Sequence, residues 1–109
     1  MTEAQLQQDI RVAISQIDGC VVLRNNTGRL QSGNRYVQFG LGKGSFDLIC
    51  CVCGRFVALE VKTPTGRVSK DQEMWQAKMR RVGAVAEVVR SVAEAKAIVR
   101  SAKMGGSFL

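Results

Sequence analysis

Apolar residues recur at helical spacing at Leu6, Ile10, Ala13, Ile14 and Ile17. Thr2-Glu-Ala-Gln5 ahead of them has the form of a capping box, so a helix is predicted to about Ile17, stopped by Asp18-Gly19. Cys20-Val-Val-Leu23 then reads as a short strand, Arg24 to Arg29 as a polar loop, and Arg35-Tyr-Val-Gln-Phe39 as a second strand. Gly40, Gly42 and Gly44 punctuate the following turn. Two apolar runs, 46–52 and 55–62, meet at Cys53-Gly54 and form a predicted hairpin.

Thr63 to Arg67 is a loop holding the only proline, and Ser69-Lys-Asp-Gln72 is a second capping box. It opens a helix to about Val82, with Met74, Trp75, Met79 and Val82 as the expected buried side and Gly83 as the stop. Ala84 to Val89 reads as a strand, and Ser91-Val-Ala-Glu94 opens a last helix to about Ala102, leaving Lys103 to Leu109 as a tail expected to fray. The order α-β-β-β-β-α-β-α predicts an α/β fold with a mixed central sheet flanked by helices. The 109 residues suit one domain spanning 1–109, with no repeat or linker inside it.

Charge interrupts this pattern at one place. Asp47 sits within one apolar run and Glu60-Val61-Lys62 closes the other, positions where core strands carry apolar side chains. A turn at Cys53-Gly54 sets Asp47 opposite Glu60, whereas a turn at Gly54-Arg55 sets it opposite Lys62. In either register Asp47, Glu60 and Lys62 share one face, because side chains alternate along a strand. Two opposed carboxylates repel unless one is protonated or a cation bridges them. Mg²⁺ accepts such carboxylates together with a backbone carbonyl, here offered by Val61, and water. Lys62 beside them would hold an attacking water or stabilise charge on a phosphate. The plainer alternative is a cross-strand Glu–Lys pair next to a strand-initial Asp, which leaves the interruption of both strands unexplained.

Composition narrows the chemistry. Sixteen Lys and Arg against nine Asp and Glu give a net charge of +7, a bias suited to a polyanion such as nucleic acid. Arg24, Arg29, Arg35, Lys43, Arg67 and Lys70 fall mostly in expected loops around the charged strands, where they are candidates for phosphate contacts. Histidine is absent, which excludes imidazole bases, His-containing triads and His-bearing metal sites. The glycines lack the spacing of a phosphate-binding loop. No apolar run is long enough to span a bilayer and the N-terminus lacks the pattern of a signal peptide, so a cytoplasmic location is expected. Cys20, Cys50, Cys51 and Cys53 are then reduced, and read as buried small hydrophobes rather than a zinc site.

An α-β-β-β-α-β core with an acid on one strand and Glu-x-Lys on its hairpin partner resembles the PD-(D/E)xK, or restriction-endonuclease-like, nuclease superfamily. Within it, the Arg24-Asn-Asn-Thr-Gly loop, Gly-Ser-Phe-Asp47, Glu60-Val-Lys62 and Ser69-Lys-Asp-Gln72 look like a stand-alone VRR-NUC domain of the type phages encode. The common family form has proline before the Asp, where this chain has Phe46.

The resemblance implies that Asp47, Glu60 and the Val61 carbonyl bind Mg²⁺ or Mn²⁺, with Glu3 reaching the metal through water. It implies further that Lys62 positions or activates the nucleophilic water and that Gln72 orients Lys62 or that water. Simple capping by Gln72 and a favourable helix-dipole position for Glu3 are the competing roles. Tyr36 and Trp75 are candidates for base stacking, with core packing as the expectation for both. The activity implied is endonucleolytic hydrolysis of DNA to 5′-phosphate and 3′-hydroxyl ends. Its expected substrate is branched DNA such as four-way (Holliday) junctions, cut by a homodimer. A non-cleaving DNA-binding protein, a nuclease subunit activated by a partner, and a sequence-specific restriction enzyme are the rival readings.

Overall fold

A computed structural model describes residues 1–105. The elements are α1 (Glu3–Ser15), β1 (Cys20–Arg24), β2 (Gly28–Ser32), β3 (Arg35–Phe39), β4 (Leu48–Val52), β5 (Arg55–Val61), α2 (Lys70–Arg81), β6 (Val85–Val89) and α3 (Val92–Lys103). The three expected N-caps are in place, with Thr2, Ser69 and Ser91 each accepting from the backbone N–H three residues on. Ser69 and Gln72 form the full reciprocal box. Of the expected tail, Lys103 closes α3, and 106–109 lie outside the described residues.

The main sheet has the order β1-β4-β5-β6, antiparallel except for the parallel β5–β6 pair. This is the mixed sheet expected of a restriction-endonuclease-like core. One of its faces carries Leu48, Cys50, Val57, Leu59, Val61, Val85 and Val89 against Leu6, Ile10 and Ile14 of α1 and Val99 of α3. The other packs Ala58 and Ala86 against Phe46 and Trp75, whose ring centroids lie 5.0 Å apart.

Three expectations fail here. Gly28–Ser32, whose first two residues read as the end of a polar loop and whose last three carry no predicted element, is a strand that among the described residues pairs with β3 alone in a separate two-stranded sheet, so five strands precede α2. Met74 and Val82, expected in the core, are 62% and 78% exposed. Trp75 alone of α2 is buried, because the helix touches the sheet along a narrow stripe. That stripe includes Gln76 and Arg80, which donate to the Ala86 carbonyl of the edge strand β6 at 2.9 and 3.1 Å. Of the four cysteines, Cys20 and Cys50 are buried, whereas Cys51 and Cys53 are exposed. Cys51 lies on the half of the α2-side face that the helix leaves open, and Cys53 sits in the turn.

The β4–β5 turn decides the register. Cys53 and Gly54 both have positive φ, 49° and 83°, the conformation of a two-residue hairpin loop. Val52 therefore pairs with Arg55 and Leu48 with Leu59. One step further along the ladder, Asp47 faces Glu60.

Candidate active site

Asp47 lies just before β4, and Glu60 near the end of β5. The Asp47 backbone N–H donates to Glu60 Oε1 at 3.2 Å, and the Val61 N–H donates to Asp47 Oδ2 at 3.1 Å. The two carboxyls are thus held across the strand ends by backbone N–H groups, Glu60 by that of Asp47 and Asp47 by that of Val61. Glu60 is only 2% exposed, while Asp47 is half-buried. Glu60 Oε2 accepts from Gln72 Nε2 at 3.1 Å and lies 3.6 Å from Lys62 Nζ. Gln72 thereby both caps α2 through its Oε1 bond to the Ser69 N–H and holds Glu60 through its amide nitrogen.

Burial pushes the Glu60 carboxyl up from 4.5 to about 8. The charge of Asp47 and a hydrogen bond with it add to the rise, and Lys62 opposes it. A carboxyl held neutral against a second acid marks a place where positive charge is wanted. Glu3, the exposed first residue of α1, brings a third carboxylate: oxygens of Glu3, Asp47 and Glu60 all lie within 4.8 Å of one another. Oxygen donors gathered around a buried acid suit a hard divalent cation.

Lys62 follows the last residue of β5 with a side chain only 13% exposed, and its N–H donates to the Val89 carbonyl at 3.0 Å. Val61 turns its side chain to the opposite, buried face. The expected phosphate contacts are scattered by comparison. Arg24 ends β1, Arg29 and Arg35 lie on the small hairpin, Arg67 is in the loop after β5 and Lys70 starts α2, all five exposed. Lys43, also exposed, pairs with Asp71 at 3.5 Å. Trp75 packs in the core as expected, but Tyr36 does not: it is 61% exposed, with the Arg29 guanidinium 4.7 Å from its ring centroid.

Two residues that the sequence did not single out hold the site in place. Asn25 donates its N–H to the Asp47 carbonyl at 2.7 Å, while its Nδ2 donates to Ser45 Oγ and the Phe46 carbonyl at 2.9 and 2.8 Å. Arg90 Nη1 donates to the carbonyls of Thr63 and Gly66 at 2.6 and 2.7 Å, fixing the loop that leaves Lys62. The Asn-Asn pair after β1 was the available signal for Asn25; Arg90 had none, being one basic residue among many.

Gly44 is a further fixed point. Its φ is +79°, and a Cβ there would run into the Asp71 carbonyl at the start of α2. Gly44→Ala is expected to destabilise the fold by about 2–4 kcal/mol, read as a lower denaturant midpoint with an unchanged slope.

Acid, acid and lysine on adjoining strand ends of a mixed sheet define an arrangement consistent with the PD-(D/E)xK nucleases. Residues 1–93 match the family model of the VRR-NUC domain, and the chain belongs to that family. No curated protein and no solved structure matches it. The family makes the chain a nuclease domain, with DNA binding implied, and the acid cluster fits divalent metal binding. No helix among the described residues is long and apolar enough to cross a membrane.

Proposed function

We propose that the protein is a structure-selective DNA endonuclease that uses Mg²⁺ or Mn²⁺ and cuts branched DNA, four-way junctions foremost, as a homodimer acting in the cytoplasm, with residues 1–109 forming one nuclease domain. The observation that carries the catalytic part is the convergence of Glu3, Asp47 and Glu60 beside Lys62.

Asp47 and Glu60 would hold the cation, with the Val61 carbonyl and a water-linked Glu3 completing the set. Such an ion supplies Lewis-acid stabilisation to a phosphate and lowers the pKa of water. Lys62 holds the attacking water by its ammonium group and offers charge to the non-bridging phosphate oxygens. As the water oxygen bonds to phosphorus, the bond to the 3′ oxygen breaks; the proton lost by water leaves to solvent, and the 3′ oxygen gains one. A 5′-phosphate and a 3′-hydroxyl result. Gln72 keeps Glu60 in place, and Arg90 keeps Lys62 at its station through the loop it clamps.

Exposed Arg24, Arg29, Arg35, Lys43, Arg67 and Lys70 favour phosphate contacts over base reading, and so favour DNA shape over sequence. A small domain has little surface left for a long recognition sequence. Two copies related by a two-fold axis would address two strands of one junction.

The test is incubation of four-way junction, flap, linear duplex and single-stranded DNA with Mg²⁺, Mn²⁺, Ca²⁺ or EDTA. Mg²⁺- or Mn²⁺-dependent nicking of the junction in preference to linear duplex is expected, with sedimentation showing a dimer. Cutting that survives EDTA overturns the metal, equal cutting of linear duplex overturns the structural selectivity, and a monomer that cuts overturns the dimer. Binding without any cutting under all four conditions would make the protein a DNA-binding relative instead.

A further inference from the structure

The hairpin of β2 and β3 makes no ladder with the main sheet, and every residue of it except Gly28 is exposed. A lone two-stranded ribbon is marginal in water, so its retention calls for a partner. Its register, with Leu30 opposite Val37 and Arg29 opposite Gln38, sorts the side chains into two faces. Leu30, Val37 and Phe39 share one; Arg29, Gln31, Tyr36 and Gln38 share the other.

Charge says which partner suits the second face. From Asp18 to Asp47 the chain has no intervening acid, yet it carries Arg24, Arg29, Arg35 and Lys43. The Arg29 guanidinium is occupied by the face of Tyr36 and not by a carboxylate within its own hairpin. A second copy of this chain, itself at +7, would bring like charge to this face. A polyanion with flat, exposed bases fits both the cations and the ring.

The root of the hairpin leads to the acids. Asn25, after β1, accepts from the Leu41 N–H through Oδ1 at 3.3 Å while its Nδ2 donates to the Phe46 carbonyl and its backbone N–H to the Asp47 carbonyl, so one residue ties both ends of the arm to the segment bearing Asp47. Between arm and glycine loop lies a cleft of about 380 Å³ lined by Thr27, Arg29, Gln38, Phe39, Lys43 and backbone.

The geometry points to the β2–β3 hairpin as a DNA-gripping arm, whose Arg29–Tyr36 face holds a sugar–phosphate strand and stacks on an unpaired base next to the cutting site. The inference rests on DNA being the ligand of the proposed nuclease, and it deepens that reading by making unstacked bases at a branch part of what is recognised. Asn25 is a positioning residue that keys the arm to Asp47.

Fluorescence anisotropy with a labelled four-way junction and with matched linear duplex, in Ca²⁺ to suppress cutting, tests the arm separately from catalysis. Arg29→Ala combined with Tyr36→Ala is expected to weaken junction binding by at least about tenfold, and duplex binding less, because stacking needs an open base. The logarithmic salt slope should also fall by about 1 for the cation removed. Gln38→Lys, on the same exposed face, should tighten both by a few-fold. Circular dichroism melting checks the fold and sedimentation the oligomeric state.

Folded variants whose binding, slope and junction preference match wild type overturn the arm, as does weakened binding fully accounted for by loss of a dimer. A gain from Gln38→Lys sustains it even if the double variant proves unstable. Because cutting is not scored, a protein that grips through the arm but cleaves nothing would refute the nuclease reading and leave the arm standing.

Discussion

Lys62→Ala is expected to lower the rate of DNA cleavage by about a thousandfold or more while leaving DNA affinity within about twofold of wild type. A loss of that size corresponds to about 4 kcal/mol of transition-state stabilisation. The ammonium group lies 3.6 Å from Glu60 Oε2 and is largely shielded from water. It is a poor candidate for general attraction of DNA, which exposed cations such as Arg29 and Lys70 supply. Its charge is placed where a phosphate gathers negative charge as the water oxygen adds, so its removal affects kcat and spares KM. Single-turnover cleavage beside anisotropy in Ca²⁺ measures the two quantities independently. Asp47→Ala should match it in cleavage but also lose metal binding by calorimetry, and this separates ligand from lysine. A Lys62→Ala protein that still cuts within tenfold of wild type would remove Lys62 from the chemistry. One that fails to fold would return it to the role of a structural partner for Glu60.

How far such a site can be read from residues alone depends on whether local rules and tertiary packing agree. They agree at Cys53-Gly54, one of the two turns the sequence allows: either turn puts Asp47, Glu60 and Lys62 on one face, and the observed one sets Asp47 against Glu60. They agree again at Ser69 and Gln72, where the capping box fixes the start of α2 and delivers the Gln72 amide to Glu60. They part at Gly28–Ser32, whose Arg, Gln and Ser give neither alternation nor a buried face. That strand exists because β3 pairs with it, and pairing leaves no trace in a polar pentapeptide. They part also at Met74 and Val82, where helical spacing implies a wider apolar face than the sheet covers. Glu3 was accessible only through family resemblance, since a first-turn acid is what the helix dipole favours anyway. The long-range bonds of Asn25 and Arg90 are made mostly with backbone N–H and C=O groups, which almost every residue has, so little in the partner's identity announces them.

The same buried acid makes metal binding and stability depend on pH in opposite senses. Glu60 is raised from 4.5 to about 8 by burial first and by Asp47 second, so in the metal-free fold it keeps its proton at neutral pH. A cation must expel that proton to reach the oxygens. Apparent Mn²⁺ affinity is therefore expected to rise about tenfold per pH unit well below the carboxyl's pKa, about fiftyfold in all between pH 6 and pH 8, and to level off above. Calorimetry in two buffers of different ionisation enthalpy should show about one proton released per ion at pH 6.

For stability the sign runs the other way: a folded-state pKa above the unfolded value favours the fold while the group is protonated. In EDTA this contribution is complete below pH 4.5 and is lost as pH rises through the window up to about 8. The melting temperature should fall across that window without metal, and the fall should shrink or reverse with saturating Mn²⁺, because the ion replaces the proton between Glu60 and Asp47. Glu60→Gln cannot titrate and should flatten both profiles while weakening the ion. Affinity constant from pH 6 to pH 8 with no proton released would mean that the cation does not use Glu60, and the paired acids would then have to be explained as a buried hydrogen bond alone.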